Sequence, residues 1–599
     1  MKKILPILLV GVLVGSGFGA AVSVGSQEKQ SSLQESVLFS EPVLVDSDSY
    51  LSVDLQEATA SWLSPGNPVL PMYTKLFSFP FGTVIKDVSY LASSEQMIRL
   101  TKEIVPAAQL TPVSGDPMIS YSQKLVKNDA VYSGKSTYPL SRLEYQLGAG
   151  LDGNTRVTLL SIWYYPVLYQ PCQQRLLFTT EVQITVTYEP PQVSSSPVST
   201  EVKLLVIAPE EFSEALQPLI DHKMRYAIPT SLVTTEWIAD HSIGRDLAEQ
   251  IKYTIKDEIE TQAITSVLLV GGFDKLPMRC SYVMVWDWDE QVITDLYYSD
   301  IYDATGSFSS WDTNNNGKFG ESSDRVDHYP DVHLGRLACD SLEEVTIVVD
   351  KIIHYETDTY GSDWFNTMIY IGGNTFRWTP GNDGEELNGM VMDIMLQFSP
   401  KIIWTSKGNF NRRTISQTIT QGAGFLDYSG HGFEFGMGTY APTGPRMKYY
   451  YTAYLKDLRN GYKLPIIFFD ACLTAKIDYV LEDFLDYRAY FVFNLFAKIL
   501  RIDTSQRRPC YAWAFLKQDD GGAIATIGAT RTAFGGVQDG AGKMSLEFFS
   551  AYDASQFLGE MITQMQNGYI TDCPHDDFTL EEFILLGDPT LKIGGYPPQ

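Results

Sequence analysis

Two stretches decide how this chain folds: Gly424-Phe-Leu-Asp-Tyr-Ser-Gly-His431-Gly432 and Leu464-Pro-Ile-Ile-Phe-Phe-Asp-Ala-Cys472. Each is a short apolar run without polar alternation, and each ends at its carboxyl edge in a side chain able to do chemistry. Runs of that kind are what strands of a parallel sheet look like when helices cover both faces. The same pattern recurs at Val202–Ile207, Val267–Val270, Met368–Ile371, Lys401–Trp404, Phe425–Asp427, Pro465–Phe469 and Ala523–Ile527. Helical segments separate the runs. Pro209-Glu-Glu-Phe-Ser opens one that reaches about Tyr226, and Arg245 begins another that reaches about Glu260. Ser341 with Glu344 is a capping box ahead of Val345–Val349. Residues 202–599 are therefore expected to form an α/β domain built on a mostly parallel sheet with helices on both faces.

Upstream the texture changes. From about Val43 to Glu189 short runs are punctuated by Pro and Gly, as at Ser64-Pro-Gly-Asn-Pro68 and Phe79-Pro-Phe-Gly82. Arg175–Tyr188 alternates polar with β-branched or aromatic residues, as a strand with one wet face does. Turn spacing predicts a β-sandwich over 27–189, and the aperiodic Pro- and Ser-rich stretch Pro190–Ser199 predicts a linker over 190–201. At the start, Lys2-Lys3, an apolar run from Ile4 to about Val22 and small residues near Gly19–Ser23 have the order of a secretory signal over 1–26. The run is also long enough to serve as an anchor if retained. A secreted, extracellular or cell-surface protein is expected, touching membrane only if that segment is kept.

The 599 residues carry 45 Lys+Arg against 72 Asp+Glu, a net charge of −27. Such a surface repels phosphate backbones, so no nucleic-acid partner is expected. Six cysteines are too few for a disulfide scaffold.

A thiol and an imidazole at matched strand ends point to nucleophilic catalysis. In an open α/β sheet, sites gather outside the carboxyl ends of strands. If the two strands are neighbours, His431 and Cys472 stand side by side. The imidazole then removes the thiol proton, or the pair rests as thiolate and imidazolium. Gly430 and Gly432 leave the backbone uncluttered, which makes the amides of Gly432 and Cys472 candidates for an oxyanion site. Taken singly, each residue also has a bland explanation, a small buried Cys and a His in a turn.

The Ser-Gly-His431-Gly and Phe-Asp-Ala-Cys472 pair resembles that of the gingipain family of cysteine peptidases, relatives of caspases and clostripain. Leu268–Gly272, Asp331–Ala338, Lys351–Glu356, Gly521–Thr530 and Leu586–Leu591 extend the likeness over roughly residues 202–592. The N-terminal β region, with Pro65-Gly-Asn-Pro-Val-Leu-Pro71, looks like the family's inhibitory propeptide domain. The resemblance implies Cys472 as nucleophile and His431 as proton carrier. It puts Asn374 where the family has an acidic residue that orients the His; an Asn can hold an imidazole but supplies no charge. It also implies a specificity pocket near Asn382-Asp-Gly-Glu-Glu-Leu387, where Leu387 replaces the family's Asp beside Glu385 and Glu386, which weakens a basic-residue preference. Arg531 and Phe534 would flank that pocket. The function implied is a secreted cysteine endopeptidase, made as a proenzyme, with protein or peptide substrates and no organic cofactor. Two alternatives stand beside it. One is a transpeptidase or protein-sorting peptidase using an amine on the same thioester; the other is an inactive surface binding protein.

Trp311-Asp-Thr-Asn-Asn-Asn-Gly-Lys-Phe-Gly-Glu-Ser-Ser-Asp324 contains D-x-N-x-N-G, the first half of a calcium loop. Asp312, Asn314 and Asn316 supply oxygens at alternate positions, Gly317 the turn and Lys318 a carbonyl. Ser323 stands where a closing Glu is usual, so Glu321 or Asp324 would complete the site. A structural Ca2+ is expected there. The aromatic-rich insert Lys476–Arg508 is either a lid or an extra packed helix.

Overall fold

The computed structural model describes residues 31–47, 49–108, 125–191, 201–285, 288–376, 381–443, 446–480, 503 and 505–598. The signal or anchor segment, most of the linker and most of the Lys476–Arg508 insert lie outside them.

Ten strands form the main sheet: β1 Leu204–Ala208, β2 Thr230–Thr234, β3 Ser266–Val270, β4 His333–Leu337, β5 Thr367–Gly372, β6 Ser399–Trp404, β7 Phe425–Ser429, β8 Ile466–Asp470, β9 Ala525–Ala529 and β10 Phe583–Leu586. Their order is β2-β1-β3-β4-β10-β9-β8-β7-β5-β6. Every neighbouring pair is parallel except β9 against β10, where Thr526 faces Leu586 and Ala529 faces Phe583. Two parallel halves thus run in opposite directions and meet at that seam. All residues of β1, β3, β7, β8, β9 and β10 are buried. Burial on both faces explains why these strands lack polar alternation.

Three strands, β2, β4 and β10, are not among the apolar runs read from the sequence. β4 hides behind charge: Arg336 is fully buried because Asp295 takes it at 2.7 Å through both oxygens, while the carbonyls of Gly271 and Leu276 accept its remaining donors. The expected helices lie at Ser213–Arg225, Leu247–Gln262 and Leu342–Asp358. At the last, Glu344 N donates to Ser341 Oγ at 3.3 Å, but the Glu344 carboxylate returns to Asp340 N rather than to Ser341.

The N-terminal region is all β apart from short helical turns. A three-stranded sheet (Ser31–Leu38, Glu181–Glu189, Val84–Ala92) faces a four-stranded one (Ala60–Trp62, Leu70–Pro80, Thr155–Tyr164, Leu143–Asp152). Val182, Ile184 and Val186 from the first meet Leu160, Ile162 and Tyr164 from the second in one core. The alternation expected through Arg175–Tyr188 is interrupted at Thr179-Thr180, giving strands Arg175–Phe178 and Glu181–Glu189.

Strand Thr155–Tyr164 is buried on both faces. Its other face, Val157 and Leu159 with Ala149, belongs to the core of the main sheet. There Trp163 Nε1 donates to the Thr571 carbonyl at 2.7 Å, Ser161 shares hydrogens with Thr571 and Tyr329, and Ala149 N donates to Asp327. Gly148 is required at this contact, since a Cβ there would lie 2.0 Å from the Tyr329 ring. The linker therefore separates two units in sequence that share a core in space. The expected outcome of cutting the chain within residues 192–200 is that both fragments elute together on size exclusion. Spontaneous separation at neutral pH would contradict the shared core.

Candidate active site

β7 and β8 are direct neighbours in register, Ser429 opposite Asp470. Two bonds tie their ends: Ser429 Oγ donates to Asp470 Oδ2 at 2.6 Å, and Gly430 N donates to the Asp470 carbonyl at 3.2 Å. The chain then turns into His431 on one side and Cys472 on the other. Gly432 lies against the nucleophile's backbone, where a Cβ would sit 2.1 Å from the Cys472 carbonyl oxygen and 2.8 Å from Ala471 Cβ. Only a residue without a side chain allows this approach.

His431 is 4% exposed and its Nε2 lies 2.8 Å from the Thr375 carbonyl oxygen. A carbonyl there fixes the proton on Nε2 and leaves Nδ1 as the basic nitrogen. Tyr440 packs its edge at 90° to the imidazole, 5.7 Å away, and Tyr428 Oη bonds the His431 carbonyl at 2.8 Å. Asn374 does not orient His431 through its side chain, as the sequence had implied. Its Nδ2 donates to the Gly381 carbonyl at 2.7 Å, while its backbone pairs with Tyr440. The carboxylate that shapes this turn is Asp383, which accepts from Thr375 N at 2.8 Å and Phe376 N at 3.0 Å. Asp383 begins the helix Asp383–Ile394, and an acidic residue at a helix start was the sequence signal for it.

Cys472 is fully buried and points its thiol at the Ala533 carbonyl, 3.3 Å away. Burial pushes the thiol well above its ordinary value, and the negative charge of Glu582 adds to this. In this arrangement the Cys472 side chain is a neutral thiol, not a resting thiolate. Leu473, next in the chain, has φ 56°, and its N–H is taken by the Arg531 carbonyl at 2.9 Å. A left-handed leucine costs about 1–2 kcal/mol, so the turn holding Cys472 is strained and fixed from outside.

The residues assigned to specificity are mostly engaged elsewhere. Glu385 is buried and accepts from Thr405 Oγ1, Ser406 N and Ser406 Oγ. Arg531 makes a two-pronged pair with Asp478 at 2.9 and 3.0 Å and bonds the Gln291 carbonyl. Glu386 is exposed on its helix, and Phe534 packs on Phe578. A cavity of about 10 Å³ does lie beside the strand ends, walled by Asp383, Leu387, Ser429, Asp470 and Val537. That volume is at or below what one water needs, so the pocket is narrow. Burial raises the Asp470 carboxyl to about 7 against the opposing pull of Ser429. A larger cavity of about 960 Å³ adjoins it through Gly536 and Val537, and the N-terminal residues Leu55, Trp62, Leu63 and Pro65 form its far wall.

The Asp312–Asp324 segment folds as a turn of its own. Asp312 accepts from Asn316 N at 2.9 Å and Gly317 N at 3.1 Å, and Asn316 Oδ1 accepts from Lys318 N at 2.8 Å. Glu321 Oε1 accepts from Asn314, Asn316 and Ser323, and Asp324 from Thr313. Arg245 also pairs with Asp312 at 2.5 Å. Among the described residues no group of three His, Cys, Asp or Glu side chains is placed to hold a metal.

A cysteine and a histidine at the carboxyl ends of adjacent central strands, in a mostly parallel sheet, define a caspase-like cysteine peptidase fold. The sequence profile of peptidase family C25 matches residues 198–594, and the chain belongs to that family, the gingipain-type cysteine peptidases. Gingipain R2 of Porphyromonas gingivalis (strain ATCC BAA-308 / W83) is 24% identical over 55% of this chain and 36% of the relative. Lys-gingipain W83 of Porphyromonas gingivalis is 21% identical over 79% of this chain and 25% of the relative. The chain thus spans a quarter to about a third of the length of these curated relatives. The complex of the Porphyromonas gingivalis RgpB pro- and mature domains shares 20% identity at a TM-score of 0.47, covering 65% of this chain and 79% of that one.

Gly432→Ala is expected to push the Cys472 turn away and to cost about 1–3 kcal/mol of stability, read by denaturant unfolding. An unchanged midpoint would show that the two backbones do not meet.

Proposed function

We propose that the chain is a cysteine endopeptidase, exported as a latent precursor and hydrolysing peptide bonds of protein substrates through Cys472 and His431. The observation that carries this reading is the meeting of the two strand ends with the imidazole already held by Thr375. Cys472 Sγ passes its proton to His431 Nδ1 and attacks the peptide carbonyl carbon. The amides of Gly432 and Cys472 take the oxyanion, and His431 gives the proton to the leaving amine. Water, deprotonated by His431, then hydrolyses the thioester and restores the thiol.

Three features support latency: a thiol kept neutral by burial, a narrow pocket, and N-terminal residues lining the adjoining cavity. Cleavage in the 190–201 segment would begin release. Export rests on the sequence reading of residues 1–26; among the described residues no helix is long and apolar enough to cross a membrane. The pocket walls favour a basic side chain before the scissile bond, because Asp383 and Asp470 both face it. A relative bearing the name Lys-gingipain agrees with that preference.

The test is cleavage of a peptide library, after processing, by the wild type, Cys472→Ala and Asp470→Asn. Cys472→Ala is expected to lose about 10³-fold or more in kcat/KM; equal cleavage would overturn the nucleophile. Asp470 pairs with a cation only when ionised, and burial holds its carboxyl at about 7. The preference for Arg or Lys over Ala therefore rises as pH increases through about 7, and Asp470→Asn flattens that rise. A pH-independent ratio would remove Asp470 from specificity.

Calcium at the Asp312–Asp324 loop would be structural, held by Asp312, Asn314, Asn316, the Lys318 carbonyl and Glu321 or Asp324. The D-x-N-x-N-G order and the turn at Gly317, φ 81°, support it, while the Arg245 pair competes for Asp312. Chelator is expected to lower the thermal midpoint of the intact chain, with calcium restoring it. No response to either would leave the loop closed by its own hydrogen bonds alone.

A further inference from the structure

Charge is unevenly spread along this acidic chain. Against 72 Asp+Glu and 45 Lys+Arg overall, residues 394–426 carry four Lys or Arg and no acid, and residues 435–469 carry five with Asp457 as their one acid. The first span holds β6 and the helix Arg412–Thr420, the second the strand Met447–Tyr451 and the helical turn Thr452–Asp457. The two spans pack together: Ser416 Oγ shares a hydrogen with Tyr450 Oη at 2.9 Å, and Arg412 Nη2 pairs with Asp457 at 2.6 Å. β6 is an edge strand of the main sheet. The molecule therefore has one basic flank.

A groove of about 780 Å³ lies in that flank. Arg412, Arg413 and Arg459 line it, and Asp457 is the one carboxylate among its described lining residues. Arg412 stands over the Tyr454 ring at 4.4 Å, with Nε 2.7 Å from Asp457. Arg459 Nη1 donates to the carbonyls of Lys456 and Leu458 at 2.7 and 2.6 Å, and Nε reaches Asp520 at 3.3 Å. Arg413 is exposed and makes no ion pair with a described residue. It sits in the first turn of its helix, where the backbone dipole disfavours a cation, so helix stability does not account for its charge.

The chemistry of the groove suits a peptide bearing carboxylates. Guanidinium groups grip carboxylates through paired donors. The partners they have now, Asp457 and Asp520, are themselves solvent-accessible, and exposed pairs add little stability. An incoming carboxylate can exchange with them. Gln417 and Gln421 are exposed on one helix face, a turn apart, and offer amides to a peptide backbone. The net charge of −27 keeps a long polyanion or an anionic membrane away, whereas a short acidic stretch meets the flank alone.

The groove also begins at the catalytic edge. Trp404 at the end of β6 and Ser429 at the end of β7 both pair with Gly372, which puts them about 10 Å apart. Asn409 keeps the chain at that edge, accepting from Trp404 N and donating to the Ile402 carbonyl, both at 2.9 Å. The helix Arg412–Thr420 then runs back about 13 Å toward Gly424, whose N–H meets the Thr367 carbonyl at the start of β5. Arg412 and Arg413 thus lie at the end nearer Cys472 and His431. None of the lining residues comes from the N-terminal β region.

We infer that the Arg412–Arg413–Arg459 groove is an exosite that holds an acidic stretch of the protein substrate, outside the residues that fill the catalytic centre. The substrate role rests on the peptidase reading above; the binding itself does not.

Binding is measured by fluorescence anisotropy of a short labelled Glu-rich peptide on the full-length Cys472→Ala chain, with the same peptide carrying Gln for Glu as control. The Glu peptide is expected to bind about tenfold more tightly, the scale of two exposed ion pairs, and to weaken as salt rises. Arg413→Glu/Arg459→Glu is expected to abolish the difference, and Arg413→Glu alone serves if the double variant fails to fold. Kinetics test the substrate role. After processing, wild type is expected to cleave a quenched peptide with a Glu-rich tail on a Gly-Ser linker with about tenfold higher kcat/KM, through KM, than its Gln-tailed twin; the variant cleaves both alike. Equal binding of the two peptides, or a difference the variants keep, overturns the groove while leaving the peptidase reading intact. Binding without kinetic effect, in enzyme that cuts both peptides, overturns the substrate role. Dextran sulfate or phosphatidylglycerol vesicles held through these arginines, with no peptide binding, would overturn the peptide assignment. Failure of wild type to cut any peptide overturns the peptidase reading and the substrate role together.

Discussion

The constraint on which the site depends is backbone against backbone. β7 and β8 pair as neighbours, and their ends are tied by Ser429 and Gly430 on Asp470. Beyond that pairing, the backbone after His431 reaches the cysteine turn because Gly432 has no side chain and sits on the Cys472 carbonyl. The strained turn at Leu473, held by Arg531, fixes the other side. The imidazole is held by a main-chain carbonyl, and the carboxylate of Asp383 acts one step removed, on the turn that carries Thr375.

This arrangement keeps Cys472 chemically quiet. Its buried thiol donates to the Ala533 carbonyl, and burial together with the charges of Glu582 and Asp470 disfavours its anion. Carboxyls buried beside it are raised as well, Asp427 and Asp470 both to about 7. The N-terminal β region lines part of the neighbouring cavity. It is anchored not by a surface contact but by a shared core around Thr155–Tyr164, so its release would expose Val157, Leu159 and Trp163. Such a cover stays in place when the segment joining it to the main sheet is cut, and its removal needs that core to be disrupted as well.

The central strands, the expected helices and the placing of His431 and Cys472 at neighbouring strand ends were legible because burial on both faces leaves an apolar run with one reactive residue at its end. β4 and β10 were not, because a fully buried Arg336 needs a distant partner, Asp295, and because a four-residue strand carries little signal. The engagement of the residues assigned to specificity was hidden for a similar reason. Glu385 and Arg531 lie a few residues from the pocket lining in sequence, and their side chains are held by Ser406 and Asp478. Distant family likeness transfers positions and not hydrogen bonds. Asp470 accepts from Ser429 at the strand end, and its place in the pocket wall appears only once β7 and β8 are seen side by side.

The most direct test of the central claim is mass-spectrometric mapping of a peptidyl acyloxymethyl ketone, which bonds only to a cysteine activated by a neighbouring base. The mechanism predicts adduct on Cys472 alone, formed rapidly after the N-terminal region is cut away and slowly or not at all in the intact chain, and lost in His431→Ala. Equal labelling of intact and cut chains, or adduct spread over the other five cysteines, would contradict it.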